Sequence, residues 1–207
     1  MQDVVSLQAR AAAGYIVMLP NPRGSTSYGD KFTQACVGDW GGGDFKDIMA
    51  GVDRLIERGE VHPDILTIEG YSYGGFMSSW VIGQTNRFKG AAIGAPLTDL
   101  TSAYATSDIN NYLGQQVTGD PYRNEDAFKL HSPMSYIRKV RTPAMITHWE
   151  GDTRCPIGQS EQFYFGLKTL NRKTQFVRYP GGSHGVRSPS QSEDYLVRTL
   201  NWFAEHK

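Results

Sequence analysis

A chain of 207 residues with 39% hydrophobic and 20% charged side chains has the composition of a globular domain. Its 23 glycines and 10 prolines follow no period, which excludes a fibrous or low-complexity protein. The 21 basic and 21 acidic side chains cancel, so no basic field exists to release counterions from nucleic acid, and peptides or small molecules are the expected partners.

The N-terminal run MQDVVSLQARAAAG lacks the charged start and apolar centre of an export signal, which points to the cytoplasm. The longest apolar stretch, residues 11–19, is about half the length of a bilayer-spanning helix, so no membrane partner is expected. Within it, residues 15–19 read as a first strand. Cys36 stands outside any CxxC or Cys/His cluster, as does Cys155, so two buried free thiols are expected rather than a zinc site or a disulfide. Gly41-Gly42-Gly43 lacks the Lys-Ser/Thr of a phosphate loop and the histidine of an oxyanion loop, and reads as a helix entry. Ile48, Met49, Val52, Leu55 and Ile56 then recur at helical spacing over residues 45–58, with Asp44 placed to cap the start.

Further strands are expected at residues 65–69, 90–93, 144–147 and 174–179, and helices at 76–82, 159–170 and 193–203. Residues 98–138 are polar and irregular, and read as a partly helical excursion beside a pocket. Strands alternating with helices predict one α/β domain, a mostly parallel sheet with helices on both faces.

Gly70-Tyr71-Ser72-Tyr73-Gly74 fits G-x-S-x-G, follows a predicted strand and opens a predicted helix, the context a nucleophile elbow requires. A serine on so sharp a turn occupies a strained conformation, and Gly70, Gly74 and Gly75 are expected to supply room around it. The turn aims the Tyr73 N–H and the helix start at the place where an oxyanion would form. A serine hydroxyl needs a base, and in this arrangement an acid and then a histidine follow it along the chain. Asp152 lies 80 residues after Ser72, past the strand at 144–147, and His184 lies 32 residues further, past the strand at 174–179. Both sit at the carboxyl ends of strands, where open α/β sheets place their sites. Ser72, Asp152 and His184 are therefore the expected catalytic residues. Glu150 and Asp99 are alternative acids by position, and His148 is expected to be structural.

The chain resembles the catalytic domain of the prolyl oligopeptidase family of serine peptidases, in its acylaminoacyl-peptidase-like branch. The resemblance covers nearly the whole chain. It is carried by Asn21-Pro22-Arg23-Gly24-Ser25-Thr26-Ser27-Tyr28-Gly29, Gly38-Asp39-Trp40-Gly41-Gly42, Gly70-Tyr71-Ser72-Tyr73-Gly74-Gly75-Phe76-Met77, Gly151-Asp152-Thr153-Arg154-Cys155-Pro156 and Ser183-His184-Gly185. It implies an α/β-hydrolase fold, the same three catalytic residues, no metal or organic cofactor, and a peptide or acylated-peptide substrate. It further implies that Arg154 binds a backbone carbonyl of the substrate, the alternative being a surface ion pair.

The family carries further strands and a His-Gly-Gly-Pro-like oxyanion segment ahead of the helix that matches residues 4–13, and usually a β-propeller. This sequence begins after those strands. The chain is thus expected to be either a piece of a longer peptidase or a shortened form in which the strands at 15–19 and 65–69 pair directly. An exposed sheet edge would invite association between copies. The rival readings are a carboxylesterase and a catalytically weak oligomerisation or binding module.

Overall fold

The computed structural model describes residues 4–185 and 187–206. The elements run α1 (Val4–Ala12), α2 (Asp30–Thr33), a short 3₁₀ turn (Gln34–Cys36), α3 (Gly43–Glu57), β1 (Leu66–Tyr71), α4 (Tyr73–Gln84), β2 (Phe88–Gly94), α5 (Leu100–Thr106), α6 (Asn110–Val117), α7 (Glu125–Leu130), a 3₁₀ segment (Pro133–Lys139), β3 (Ala144–Trp149), α8 (Gly158–Thr169), β4 (Thr174–Tyr179) and α9 (Pro189–Ala204). The strands form one parallel sheet in the order β1-β2-β3-β4. Parallel neighbours require crossovers, and the helices between successive strands provide them.

Alternate residues of each strand divide the core in two. Ala91 and Ile93 of β2 and Ala144 and Ile146 of β3 pack with Ile82 of α4 and Phe163 and Leu167 of α8. On the opposite face Ala92 and Met145 meet Trp202 and Phe203 of α9. β2 from Gly90 to Gly94 and the whole of β3 are covered on both sides, which explains why apolar residues occupy consecutive positions in Ala91–Ile93 and Ala144–Ile146. Helix α4 is buried almost all round, from Gly75 to Gly83, so its sequence FMSSWVIG shows no polar stripe.

Helix α1 is fastened to β1 by charge. The Arg10 guanidinium grips the Glu69 carboxylate with two bonds of 2.5 and 2.6 Å, and both side chains are largely buried. Breaking such a pair from one side leaves an uncompensated buried charge, at a cost of about 3–5 kcal/mol.

Four of the five expected strands are present, and residues 15–19 are the correction. They form no strand, and they do not pair with β1. An extended segment without a neighbour gains no ladder hydrogen bonds, so its apolar pattern is satisfied piecemeal. Tyr15 tilts onto Phe203 at 6.1 Å, and Met18 lies against the α3 side of the core. Ile16 and Leu19 stay more than half exposed. β1 is consequently one edge of the described sheet, as β4 is the other, and Ile65 is exposed just ahead of it.

Candidate active site

The site is assembled at the carboxyl ends of the strands. β1 ends at Tyr71 and α4 begins at Tyr73, which leaves Ser72 alone to make the turn at φ 62°, ψ −119°. Two bonds hold it there: the Ser72 N–H donates to the Gly94 carbonyl (3.0 Å), and the Phe76 N–H donates to the Ser72 carbonyl (2.9 Å). Gly70 is required because a Cβ there would lie 2.2 Å from the Gly74 carbonyl oxygen, and Gly75 because a Cβ would lie 2.3 Å from that of Gly94. Gly74 does not share this constraint. A Cβ added to it meets nothing within 4 Å, so its contribution is its backbone, against which Gly70 packs.

As the first residue of α4, Tyr73 has an N–H without an intrahelical acceptor. Its ring is fixed by an edge-on contact with Trp40 at 5.1 Å and by a short hydrogen bond from its hydroxyl to the Asp44 carboxylate. Asp44 is fully buried, and burial pushes its carboxyl up from the usual range. This is not the helix cap expected from the sequence. α3 starts two residues earlier than expected, with Gly42 at the cap position, and the Gly43 N–H donates to Asp39 (2.7 Å). Asp44 instead turns inward to Tyr73 and to the Gly41 N–H (3.1 Å).

Ser72, His184 and Asp152 form a continuous hydrogen-bonded row. His184 Nε2 lies 2.7 Å from Ser72 Oγ, and His184 Nδ1 lies 2.7 Å from Asp152 Oδ2. The other carboxylate oxygen of Asp152 accepts from the backbone N–H groups of Arg154 and Cys155, each at 2.9 Å. With both oxygens engaged, the buried carboxylate requires a donor at His184 Nδ1, which leaves Nε2 free to accept from Ser72. The alternative acids lie elsewhere. Glu150 pairs with Arg178 at 3.0 Å on the surface, and Asp99 caps α5 by accepting from the Ser102 N–H.

His148 is structural. It is fully buried, donates from Nε2 to the Cys155 carbonyl (2.7 Å) and accepts at Nδ1 from the Ser160 hydroxyl (2.7 Å), which fixes the loop that follows Asp152. Burial lowers its pKa, so the folded protein holds it neutral. The unfolded chain therefore binds a proton that the folded state refuses, and stability should fall as pH drops below about 6.5. Thermal melts from pH 8 to 5 should show this decline, and His148→Gln should flatten it. An equal slope in parent and variant would remove His148 from the account.

Cys36 and Cys155 are both buried and unbridged. The Cys155 Sγ lies 4.0 Å from Ser72 Oγ, a proximity that no spacing signal announced, and burial pushes its thiol up to about 12. Arg154 points away from the protein core. Its guanidinium holds Asp108 with contacts of 2.5 and 3.3 Å, both side chains being nearly half exposed. No helix among the described residues is long and apolar enough to cross a membrane.

A parallel sheet flanked by helices, with a strained serine on a strand-to-helix turn and a histidine and an aspartate on later loops, defines an α/β-hydrolase. The model of the prolyl oligopeptidase family matches residues 2–207, and the chain belongs to that family of peptidases. An uncharacterized peptidase, YuxL, of Bacillus subtilis is 40% identical over 96% of this chain and 31% of its own length. The acylamino-acid-releasing enzyme of Arabidopsis thaliana is 30% identical over 95% of this chain and 27% of its own. An acylaminoacyl peptidase solved in complex with Z-Gly-Gly-Phe-chloromethyl ketone superposes with a TM-score of 0.85 and 30% identity, covering 90% of this chain and 31% of that one. The chain thus spans about a third or less of the proteins it matches.

Proposed function

We propose that the chain is the hydrolytic part of a serine peptidase that cleaves peptide bonds, including those of acylated peptides, through an acyl-enzyme on Ser72. The observation that carries this reading is the unbroken row from Ser72 Oγ through His184 to Asp152, at 2.7 Å for each step. Ser72 Oγ attacks the substrate carbonyl carbon as its proton passes to His184 Nε2, and Asp152 stabilises the imidazolium. The tetrahedral oxyanion forms beside the Tyr73 N–H and the start of α4. His184 then returns the proton to the leaving amine, and water releases the acyl group by the same route in reverse.

Arg154 supplies the substrate contact in this reading. Its Nε and one Nη engage Asp108, and among the described residues the other Nη donates to no protein acceptor. Aimed by Asp108, that amine is available for a carbonyl of a bound peptide. Arg154→Ala should raise KM for an acetylated peptide anilide by about tenfold or more, and leave KM for a short aryl ester nearly unchanged. Paired assays on the two substrates test the reading. Hydrolysis of the ester with no cleavage of any peptide would favour a carboxylesterase, and equal effects of Arg154→Ala on both would remove Arg154 from the binding site.

The open edge of β1, with Ile16, Leu19 and Ile65 exposed near it, supports association between copies through the sheet as a separate proposal.

A further inference from the structure

The three loops that carry Ser72, Asp152 and His184 are far apart in the chain, yet one side chain outside the hydrogen-bonded row touches all three. The Arg187 guanidinium carbon lies 4.0 Å from the Tyr71 ring centre and 4.2 Å from that of Trp149, with Tyr195 of α9 at 5.7 Å. Tyr71 is the residue before Ser72. Trp149 ends β3, and its carbonyl accepts from the Asp152 N–H (3.1 Å), which closes the turn into the acid loop. Arg187 itself stands three residues beyond His184. Among the described residues no ion pair of Arg187 is found, and its partners are the ring faces together with the Tyr71 hydroxyl.

Other contacts converge on the same junction. The Tyr71 hydroxyl donates to the His184 carbonyl (2.8 Å), and its ring lies 5.1 Å from the imidazole. Trp149 is stacked on Tyr179 at 4.7 Å, and its indole N–H donates to Gln191 (3.0 Å) in the capping box of α9. Tyr71 and Trp149 meet edge-on at 6.0 Å and form a corner that holds the guanidinium, and both rings are held from behind, whereas the described residues between β4 and α9 form no helix or strand.

We infer that Arg187 is a positioning residue: its guanidinium, clasped by Tyr71, Trp149 and Tyr195, sets the His184 loop in register with the Ser72 and Asp152 loops. A planar, weakly hydrated cation suits such an aromatic corner better than an ammonium does, and the attraction strengthens where water is excluded. The inference rests on the proposed role of Ser72 and His184, and concerns what keeps them in place.

The test compares Arg187→Met and Arg187→Lys in the full chain, by kinetics on an aryl ester and by the low-field proton resonance of the His184 Nδ1–H bond to Asp152. A displacement of about 1 Å at a reacting group costs on the order of 100-fold. Arg187→Met should therefore lower kcat by about that factor with KM within about twofold, and broaden or abolish the resonance. Arg187→Lys, which keeps the cation, should recover about tenfold of the lost kcat and retain the resonance. Arg187→Gln replaces Arg187→Met where the latter does not fold.

Unchanged kcat and resonance in the Met or Gln variant would overturn the inference, as would a loss confined to KM, which would make Arg187 a substrate contact. A parent protein that hydrolyses nothing would sink the hydrolytic reading alone, because the resonance still reports whether Arg187 orders the His184 loop.

Discussion

Ser72→Ala is expected to lower kcat by about 10⁴ to 10⁶ on peptide and ester substrates alike, with little change in stability. The size of the loss follows from what surrounds the hydroxyl. Among the described residues the thiol beside it is that of Cys155, 4.0 Å away, whose pKa is pushed up to about 12 by burial, so almost none of it is thiolate at neutral pH. No side chain can take over the attack. Alanine adopts φ 62° at much the same cost as serine, so the turn between β1 and α4 should survive. Initial rates and a thermal melt on the purified variant check both halves. A loss of less than tenfold, with the fold intact, would mean that the acyl group is carried elsewhere.

Asp152→Asn should be nearly as damaging, at about 10⁴ in kcat, while leaving KM and the melt largely unchanged. Oδ1 of Asp152 accepts from two backbone N–H groups, those of Arg154 and Cys155. An asparagine must place its carbonyl oxygen there, and its NH₂ then faces His184 Nδ1. The imidazole is forced into the tautomer that accepts at Nδ1 and donates from Nε2. In that state it meets the Ser72 hydroxyl, 2.7 Å away, with a donor where a base is needed. Retained packing and lost chemistry follow from one proton being on the wrong nitrogen. A variant that keeps kcat within tenfold would show that the tautomer of His184 does not matter.

β2 and β3 are legible in the sequence because they are buried on both faces, whereas β1 and β4 are only partly buried at the sheet edges and are marked by short β-branched and aromatic runs between turn residues; all four lie within a residue or two of the expected bounds. Residues 15–19 show where that signal fails. Apolar alternation reports what a segment can bury, and strand formation also needs a neighbour to complete the ladder, which β1 does not provide. The G-x-S-x-G turn and the order of acid and histidine set Ser72, Asp152 and His184 after strand ends, and in the structure they follow β1, β3 and β4. At Gly74 the pattern is silent, because it cannot say which glycine lacks room and which merely presents its backbone to another.

What the sequence withheld are contacts between residues distant in the chain. Arg187 meets Tyr71 across 116 positions, and Tyr73 meets Asp44 across 29, and neither pairing has a local spacing that would announce it. Cys155 beside Ser72 is hidden for the same reason. The excursion at 98–138 resolved into α5, α6, α7 and the 3₁₀ segment, short helices whose polar text gave no clean period.

The central claim, that Ser72 forms the acyl-enzyme, is tested most directly by treating the chain with a fluorophosphonate and locating the adduct by tandem mass spectrometry. A single adduct on Ser72 is expected, absent from Ser72→Ala and much slower to form in His184→Ala. No adduct in the folded parent, or an adduct elsewhere that persists in Ser72→Ala, would contradict it.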